Sequence, residues 1–146
     1  AATTRLGAAL AGLLQAGDTL LLHGPIGAGK THLARALIQA RVGWLEDVPS
    51  PSFTLVQTYL ADGVEIWHAD LYRLSSPDEV WELGLDDAFS TAICLIEWPD
   101  RLGNFAPANA VSIRLSAENE GRRAVISGET HAALLVALAA KWCNND

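Results

Sequence analysis

Cysteines are few in this chain, and hydrophobic runs of membrane-spanning length are missing. The 146 residues contain two cysteines: Cys94 lies in an apolar run, Cys143 lies near a polar terminus, and neither has metal-ligand spacing. A secreted chain of this kind would more often carry several pairs, so a reduced setting is the simpler interpretation. The N-terminus lacks a signal-peptide pattern, and no run approaches the roughly 20 residues of a transmembrane helix. We therefore expect a soluble, cytoplasmic protein that does not bind membranes.

Positive charge is also scarce. Lysine and arginine together number 10 against 17 acidic residues, which gives a formal net charge of −7. The summed field repels nucleic acids and anionic membranes, so we expect no direct DNA binding, and any RNA would be held by a partner protein. An acidic protein can still bind phosphate through backbone N–H groups and one well-placed cation.

Repeats, low-complexity tracts and linkers are absent, so residues 1–146 are predicted to form one domain. Half of the residues are hydrophobic and 18% are charged, a balance that favours a packed core over disorder. A chain of this length can bury roughly 70% of the surface that it exposes when unfolded.

The spacing of apolar residues predicts mixed helices and strands. Helices are predicted over Thr3–Gln15, Lys30–Arg41 and Thr130–Trp142, and short helices within Asp78–Phe89. Strands are predicted over Thr19–His23, Thr54–Leu60, Val64–His68, Ile93–Ile96, Val111–Leu115 and Ala124–Ser127. The turn at Asp62-Gly63 indicates a hairpin, and the last two strands suit an antiparallel pair. We predict a three-layer α/β domain of P-loop type, whose mixed sheet has a parallel core that includes the strands ending at His23 and Ile96.

The strongest motif lies between the first strand and the second helix. Residues Gly24–Thr31 read Gly-Pro-Ile-Gly-Ala-Gly-Lys-Thr and match the pattern G-x-x-x-x-G-K-[ST] in full. Glycines let consecutive backbone N–H groups point inward, and the following helix adds its positive dipole end. Lys30, one of only two lysines, would reach the β- and γ-phosphates, and the Thr31 hydroxyl would hold magnesium. The motif therefore predicts a nucleotide site for ATP and Mg²⁺.

A P-loop site needs a further carboxylate for magnesium, and two candidates end strand-like runs. Glu97 follows Ile93–Ile96, and Asp70 follows Ile66–Ala69. Glu97 is the preferred metal ligand because its strand is the more apolar. Either carboxylate could instead be a solvated group at a strand end.

Several other residues have two interpretations. Ser50, Ser52 and Thr54 could form a switch that senses the γ-phosphate, or a plain turn stiffened by proline.

Trp98 could contact the nucleotide or a partner, whereas Trp44, Trp67, Trp81 and Trp142 are interpreted first as packing residues. His68 could position water or a partner, although a histidine at a strand end beside Trp67 is more often structural. The acidic segment Asp78–Asp87 is most simply a solvated helix face, with a docking surface as the alternative.

Other functions would use the same loop. A small-molecule or nucleotide kinase usually has an arginine-bearing lid, and only Arg73 and Arg101 lie near plausible catalytic loops. A GTPase would carry an Asn-Lys-x-Asp segment, which the sequence lacks. A pure binding module would bind ATP without hydrolysing it.

Taken together, the motifs resemble those of the TsaE family, small bacterial ATPases of tRNA threonylcarbamoyladenosine biosynthesis. The resemblance runs from Thr3 to about Ser127. It is carried by Gly24–Thr31, Ser50–Thr54, His68–Leu74, Glu82–Gly84 and Ile96–Pro99.

The resemblance implies an ATP-hydrolysing subunit that works with TsaB and TsaD, with tRNA reached through that complex. It implies that Lys30 and the loop residues Gly27, Ala28 and Gly29 bind phosphates, and that Thr31 and Glu97 hold magnesium.

By the same resemblance, Asp70 would support hydrolysis. Thr3 and Arg122 would approach the nucleoside, and Ser50–Thr54 would be a nucleotide-sensing switch.

Three positions depart from the usual family pattern. Pro25 replaces a residue with a backbone donor, which puts one phosphate contact in doubt. Ser52 stands where threonine is usual but keeps a hydroxyl. His32 replaces a second threonine after Thr31 and would alter the contact with the α-phosphate.

Overall fold

The computed structural model describes residues 2–26, 28–43, 48–51, 54–118, 121–128 and 131–144. The helices are α1 (Ala2–Leu13), α2 (Lys30–Val42), α3 (Glu79–Leu83), α4 (Leu85–Thr91) and α5 (Ala132–Asn144), with a 3₁₀ segment at Pro99–Phe105. The strands are β1 (Thr19–His23), β2 (Val56–Ala61), β3 (Val64–Asp70), β4 (Ile93–Glu97), β5 (Val111–Glu118) and β6 (Gly121–Ser127).

The six strands form one mixed sheet in the order β2-β3-β4-β1-β5-β6. Strands β3, β4, β1 and β5 are parallel, while β2 and β6 pair antiparallel at the two edges. The predicted parallel core containing β1 and β4 is confirmed, as are both antiparallel hairpins. Because parallel strands end at the same edge, the C-terminal ends of β3, β4 and β1 lie next to one another.

Two apolar layers cover the faces of this sheet. On one face, α1, α2 and α5 pack through residues such as Leu10, Leu37 and Leu138. On the other face, α3, α4 and the 3₁₀ segment pack through residues such as Val80 and Leu85. Residues 20–22 of β1 and 93–96 of β4 are all apolar, as is typical of strands with both faces covered. The predicted three-layer α/β architecture is therefore confirmed.

Strand β2 begins two residues later than predicted. Leu55 has φ 68°, outside the extended region, and its amide donates to the carbonyl of Pro51 at 2.7 Å. Thr54 and Leu55 therefore belong to a turn. Strand β3 continues two residues beyond His68, because Asp70 pairs in register with Glu97 of β4.

The interpretation of Trp81 as a packing residue needs correction, because this residue is 57% exposed. Its ring meets the edge of Phe105 at 5.5 Å between centroids, so it packs on one side only. Trp67 packs against the apolar layer of α3 and α4, as predicted. Trp44 and the side chain of Trp142 lie outside the described residues.

Within the described part of the chain, no helix is long and apolar enough to cross a membrane.

Candidate functional site

The connection from β1 to α2 is a loop with glycine at two positions that require it. Gly24 has φ 146°, and a Cβ atom placed on it would lie 2.6 Å from the carbonyl oxygen of Leu115. Gly29 has φ 106° and directly precedes α2. Only glycine adopts these backbone angles without strain. Gly27, which was predicted to bind phosphate, lies outside the described residues.

The N-terminus of α2 follows this loop at once. The amide of Leu33 donates to the carbonyl of Gly29 at 2.9 Å, so residues 30–32 form the first helical turn. Amides in a first turn have no intrahelical acceptor, and the helix dipole adds partial positive charge there. The amide of Ala28, by contrast, donates to the carbonyl of Pro25 at 3.1 Å. This end of α2 therefore presents donors suited to an anion.

The Lys30 side chain folds back onto the loop. Only 5% of Lys30 is exposed, and its ammonium group donates to the carbonyl oxygens of Gly24 and Pro25, the second at 3.2 Å. The same nitrogen lies 3.8 Å from the centre of the Trp98 ring. A cation held over an aromatic face is stabilised by the ring quadrupole. Pro25 thus contributes a carbonyl to this site, although it lacks an amide.

Thr31 and Glu97 meet where α2 and β4 come together. The Thr31 hydroxyl donates to Oε1 of Glu97 at 2.8 Å. Nε2 of His68 lies 2.6 Å from Oε2 of the same carboxylate. Glu97 is 2% exposed and His68 is fully buried. Each oxygen of this carboxylate therefore has its own partner.

Asp70 lies beside Glu97 at the end of β3 and is 8% exposed. Its Oδ1 accepts a hydrogen bond from the amide of Tyr72 at 3.1 Å, which orients the carboxylate. Burial lowers the pKa of the Lys30 ammonium, while the carboxylates of Glu97 and Asp70 oppose this shift. The three charged groups thus act on one another within a single site.

A cleft of about 460 Å³ joins these groups. The residues that line it are Thr3, Pro25, Ile26, Gly29, Lys30, Thr31, His32, Ser50, Asp70, Tyr72, Arg73, Glu97 and Trp98. The structure therefore brings together residues from five separate parts of the chain.

Other predicted site residues lie elsewhere. Ala28 is buried and does not line the cleft. Thr54 does not line the cleft either, and its hydroxyl accepts a hydrogen bond from the side-chain amide of Gln57 at 3.0 Å. Ser52 and the side chain of Arg122 lie outside the described residues.

The sequence analysis did not identify Tyr72 as a site residue, and it placed Arg73 only near a plausible catalytic loop. For His68 it favoured a structural role over the positioning of water or a partner. Tyr72 lies 4.9 Å from Trp98 between ring centroids, and Trp98 itself adopts left-handed angles of φ 59° and ψ 54°. One available signal was adjacency, since Tyr72 and Arg73 directly follow Asp70. Another was the spacing of His68 and Asp70, which puts both on the same face of β3.

A second, smaller cleft of about 200 Å³ lies on the other side of Gly24 and Pro25. It is lined by His23, Gly24, Pro25, Trp98, Pro99, Asp100 and Arg114. Burial and the charge of Arg114 lower the pKa of His23, and Asp100 opposes them. Pro25 and Trp98 form a wall common to both clefts.

The donor set of the larger cleft fits a phosphate group with a divalent cation. Lys30 and the first turn of α2 supply positive charge, and Thr31 and Glu97 supply oxygen ligands of the kind that Mg²⁺ prefers. No cluster of three or more His, Cys, Asp or Glu side chains suited to a metal occurs among the described residues. Mg²⁺ at nucleotide sites is usually held by one or two protein groups together with phosphates, so a full protein cage is not required.

Comparison with known proteins places the chain in a family. The family model for threonylcarbamoyl adenosine biosynthesis protein TsaE matches residues 1–125. TsaE of Rickettsia felis is 35% identical over 135 residues, which cover 91% of this chain and 79% of that protein. TsaE of Haemophilus influenzae is 37% identical over 111 residues, covering 75% of this chain and 70% of its own length.

The fold is also similar to that of a solved protein. The crystal structure of YdiB from Bacillus superposes with a TM-score of 0.74, at 22% identity, over 96% of this chain and 88% of that one. The family match includes every described residue that lines the larger cleft. The chain belongs to the TsaE family.

Proposed function

We propose that this protein binds ATP with magnesium and hydrolyses it in support of tRNA threonylcarbamoyladenosine formation. One observation carries the proposal: the Lys30 ammonium, the Thr31 hydroxyl and the Glu97 carboxylate converge in one cleft at the N-terminus of α2. The curated relatives are named as tRNA threonylcarbamoyladenosine biosynthesis proteins, which supports the pathway.

Phosphate binding would use the loop and the first turn of α2. The free amides and the helix dipole favour an anion at this point. The Lys30 ammonium, which donates to the carbonyls of Gly24 and Pro25, would turn toward the phosphate oxygens. Its low exposure supports this role, because a charge interaction is stronger when water is excluded.

Magnesium would be held by Thr31 and Glu97 together with the phosphates. Their hydrogen bond of 2.8 Å shows that the two oxygens already lie within reach of a common ligand. When bound, the ion would neutralise charge that develops on the phosphates during transfer. Asp70 would orient the attacking water, because its carboxylate lines the same cleft and is anchored by the Tyr72 amide.

A switch and partner proteins would complete the activity. Ser50 lines the cleft, so the segment that contains it could respond to the γ-phosphate. Proteins like TsaB and TsaD are the proposed partners, and they would hold the tRNA. The net charge of −7 supports this indirect route to the tRNA.

Calorimetry of purified protein with ATP and Mg²⁺ tests nucleotide binding, with Lys30→Ala as the test variant. The chain offers a matched control, because Lys141 on α5 is the other lysine and lies near Gly12, outside the larger cleft. Lys30→Ala should weaken ATP binding roughly 30-fold or more, the factor that about 2 kcal/mol represents. Lys141→Ala should bind as the wild type does. Absence of heat with the wild type, alone and with its partners, would overturn the proposal.

Phosphate release distinguishes hydrolysis from the alternative of a small-molecule or nucleotide kinase. A hydrolase releases phosphate from ATP without an added acceptor, and release should rise when the TsaB and TsaD proteins are present. Release that depended on a small-molecule acceptor would favour a kinase. Binding with no release in the assembled complex would favour a pure binding module.

A further inference from the structure

We propose that His68 is a positioning residue for the magnesium ligand Glu97. In this role, the Nε2 N–H of the imidazole holds Oε2 of the carboxylate and leaves Oε1 to Thr31 and the metal. The inference rests on the function proposed above and adds a residue to it.

The geometry separates the two oxygens of Glu97. His68 Nε2 lies 2.6 Å from Oε2, and the Thr31 hydroxyl lies 2.8 Å from Oε1. With a partner on each oxygen, the carboxylate cannot rotate without breaking a hydrogen bond. Both His68 and Glu97 are almost fully buried, which limits the access of water to the hydrogen bond between them. Partners behind a metal ligand commonly orient it in this way.

The contact with Glu97 indicates which ring nitrogen of His68 is the donor. Nδ1 of His68 is buried and has no hydrogen-bond partner among the described residues. An ionised carboxylate only accepts hydrogen bonds, so Nε2 must carry the proton that it donates to Oε2. Nε2 is therefore the donor in the contact with Glu97.

The fold explains why this ring reaches Glu97. His68 pairs in register with Leu95, two residues before Glu97 on β4, so the imidazole reaches its partner along the diagonal. The neighbouring residues on this face are apolar, among them Ile66 and Ile93. These apolar surroundings alone would also suit an aliphatic side chain at position 68. The imidazole differs from it by the hydrogen bond to Glu97.

Two substitutions separate the hydrogen bond from the packing. His68→Gln can place an amide N–H near the position of Nε2, whereas His68→Leu fills similar space without a donor. His131 supplies the control, because its Nε2 lies 2.8 Å from Asp18 at the opposite end of the sheet. His131→Leu thus also removes a histidine bonded to a carboxylate.

The measurements are the magnesium concentration at half-maximal ATP hydrolysis and calorimetric ATP binding with and without Mg²⁺. His68→Leu should need roughly 10- to 100-fold more magnesium, the range typical for removing such a partner. Its ATP binding without Mg²⁺ should be unchanged. His68→Gln should recover most of the loss, and His131→Leu should match the wild type. Equal magnesium midpoints for His68→Leu and the wild type would overturn the inference, as would a His68→Gln variant no better than His68→Leu.

A measurement on the wild-type protein does not depend on how the variants fold. Nitrogen-detected NMR of histidine-labelled protein should show a proton on Nε2 of His68. The Nε2 signal should shift when Mg²⁺ and a non-hydrolysable ATP analogue are added. Absence of a proton on Nε2, or no response to the metal, would overturn the inference. If the wild type bound no nucleotide at all, the proposed function itself would fail, which is a different result.

Discussion

Asp70 and Glu97 stand opposite each other as the last paired residues of the parallel strands β3 and β4. Both side chains line the larger cleft, but their partners differ. Asp70 accepts a hydrogen bond from a backbone amide, whereas Glu97 is bonded to Thr31 and His68. Adjacent carboxylates with different partners are suited to different tasks in one reaction.

Asp70→Asn and Glu97→Gln should therefore impair ATP hydrolysis in different ways. Asp70→Asn should lower the rate of ATP hydrolysis by roughly 100-fold or more, the scale of a lost acid–base group, with binding of ATP and Mg²⁺ retained. Glu97→Gln should instead raise the magnesium requirement. Calorimetry and phosphate release measure the two effects.

A matched control for these variants is Asp62→Asn in the β2–β3 turn, away from the cleft. Asp62 has φ 52°, and asparagine tolerates this conformation. The control should hydrolyse ATP at the wild-type rate. If Asp70→Asn lost binding and turnover by the same factor, a role in orienting water would be contradicted.

The close packing of α1 on α2 predicts different effects on stability when two glycines of α1 are replaced by alanine. A Cβ atom on Gly7 would lie 2.8 Å from the Cβ of Ala36 and 2.9 Å from the amide nitrogen of Leu37. Gly7→Ala should lower the free energy of unfolding by about 1–3 kcal/mol, because these backbone and side-chain atoms must shift. Urea unfolding monitored by circular dichroism measures the change.

Gly12→Ala is the control for that prediction. The atom nearest to its Cβ is the ammonium nitrogen of Lys141, the end of a flexible side chain that can move away. Alanine favours the helix over glycine by about 1 kcal/mol, so this variant should be neutral or slightly stabilised. Equal losses at both positions would contradict the packing argument.

The thiol of Cys94 should be unreactive while the protein is folded. Cys94 has no exposed surface, and burial raises its pKa from 9.0 to about 12. Only thiolate attacks disulfide reagents, so the reaction at pH 8 should require unfolding. In a Cys143→Ser background, labelling with a disulfide reagent should be negligible in buffer and complete in strong denaturant. Rapid labelling in buffer would contradict the burial of β4.

Acid should destabilise the fold partly through His23. Burial and Arg114 lower the pKa of His23 below 6.5, so the unfolded chain binds this proton more tightly than the folded one does. The resulting contribution to stability is present above pH 6.5 and is lost as the pH falls toward the folded-state pKa. Urea unfolding of the wild type and His23→Gln should be compared at pH 7.5 and 5.5. The wild type should lose more stability on acidification, and parallel losses would contradict the assignment.

Local patterns in the sequence were enough to predict most elements of the fold. Strands β1 and β4 were recognised as buried from their apolar runs, and the glycine-rich segment after β1 indicated the loop and the start of α2. These inferences succeed because a strand covered on both faces, or a loop with left-handed backbone, restricts the residue types at those positions. Leu55 and Trp81 were not anticipated. Nothing in their local sequence indicates a left-handed leucine or a tryptophan packed on one side only.

The sequence by itself determined that one loop carries a lysine and a hydroxyl suited to phosphate, and that carboxylates follow two strands. Only the tertiary structure decided which carboxylate meets which partner. Thr31 and Glu97 are 66 residues apart in the chain, and His68 and Glu97 are 29 apart, yet both pairs are in hydrogen-bond contact. Their meeting depends on the order β3-β4-β1 and on α2 packing over those strands. That arrangement arises from the joint burial of apolar faces across the whole sheet, which no single segment encodes.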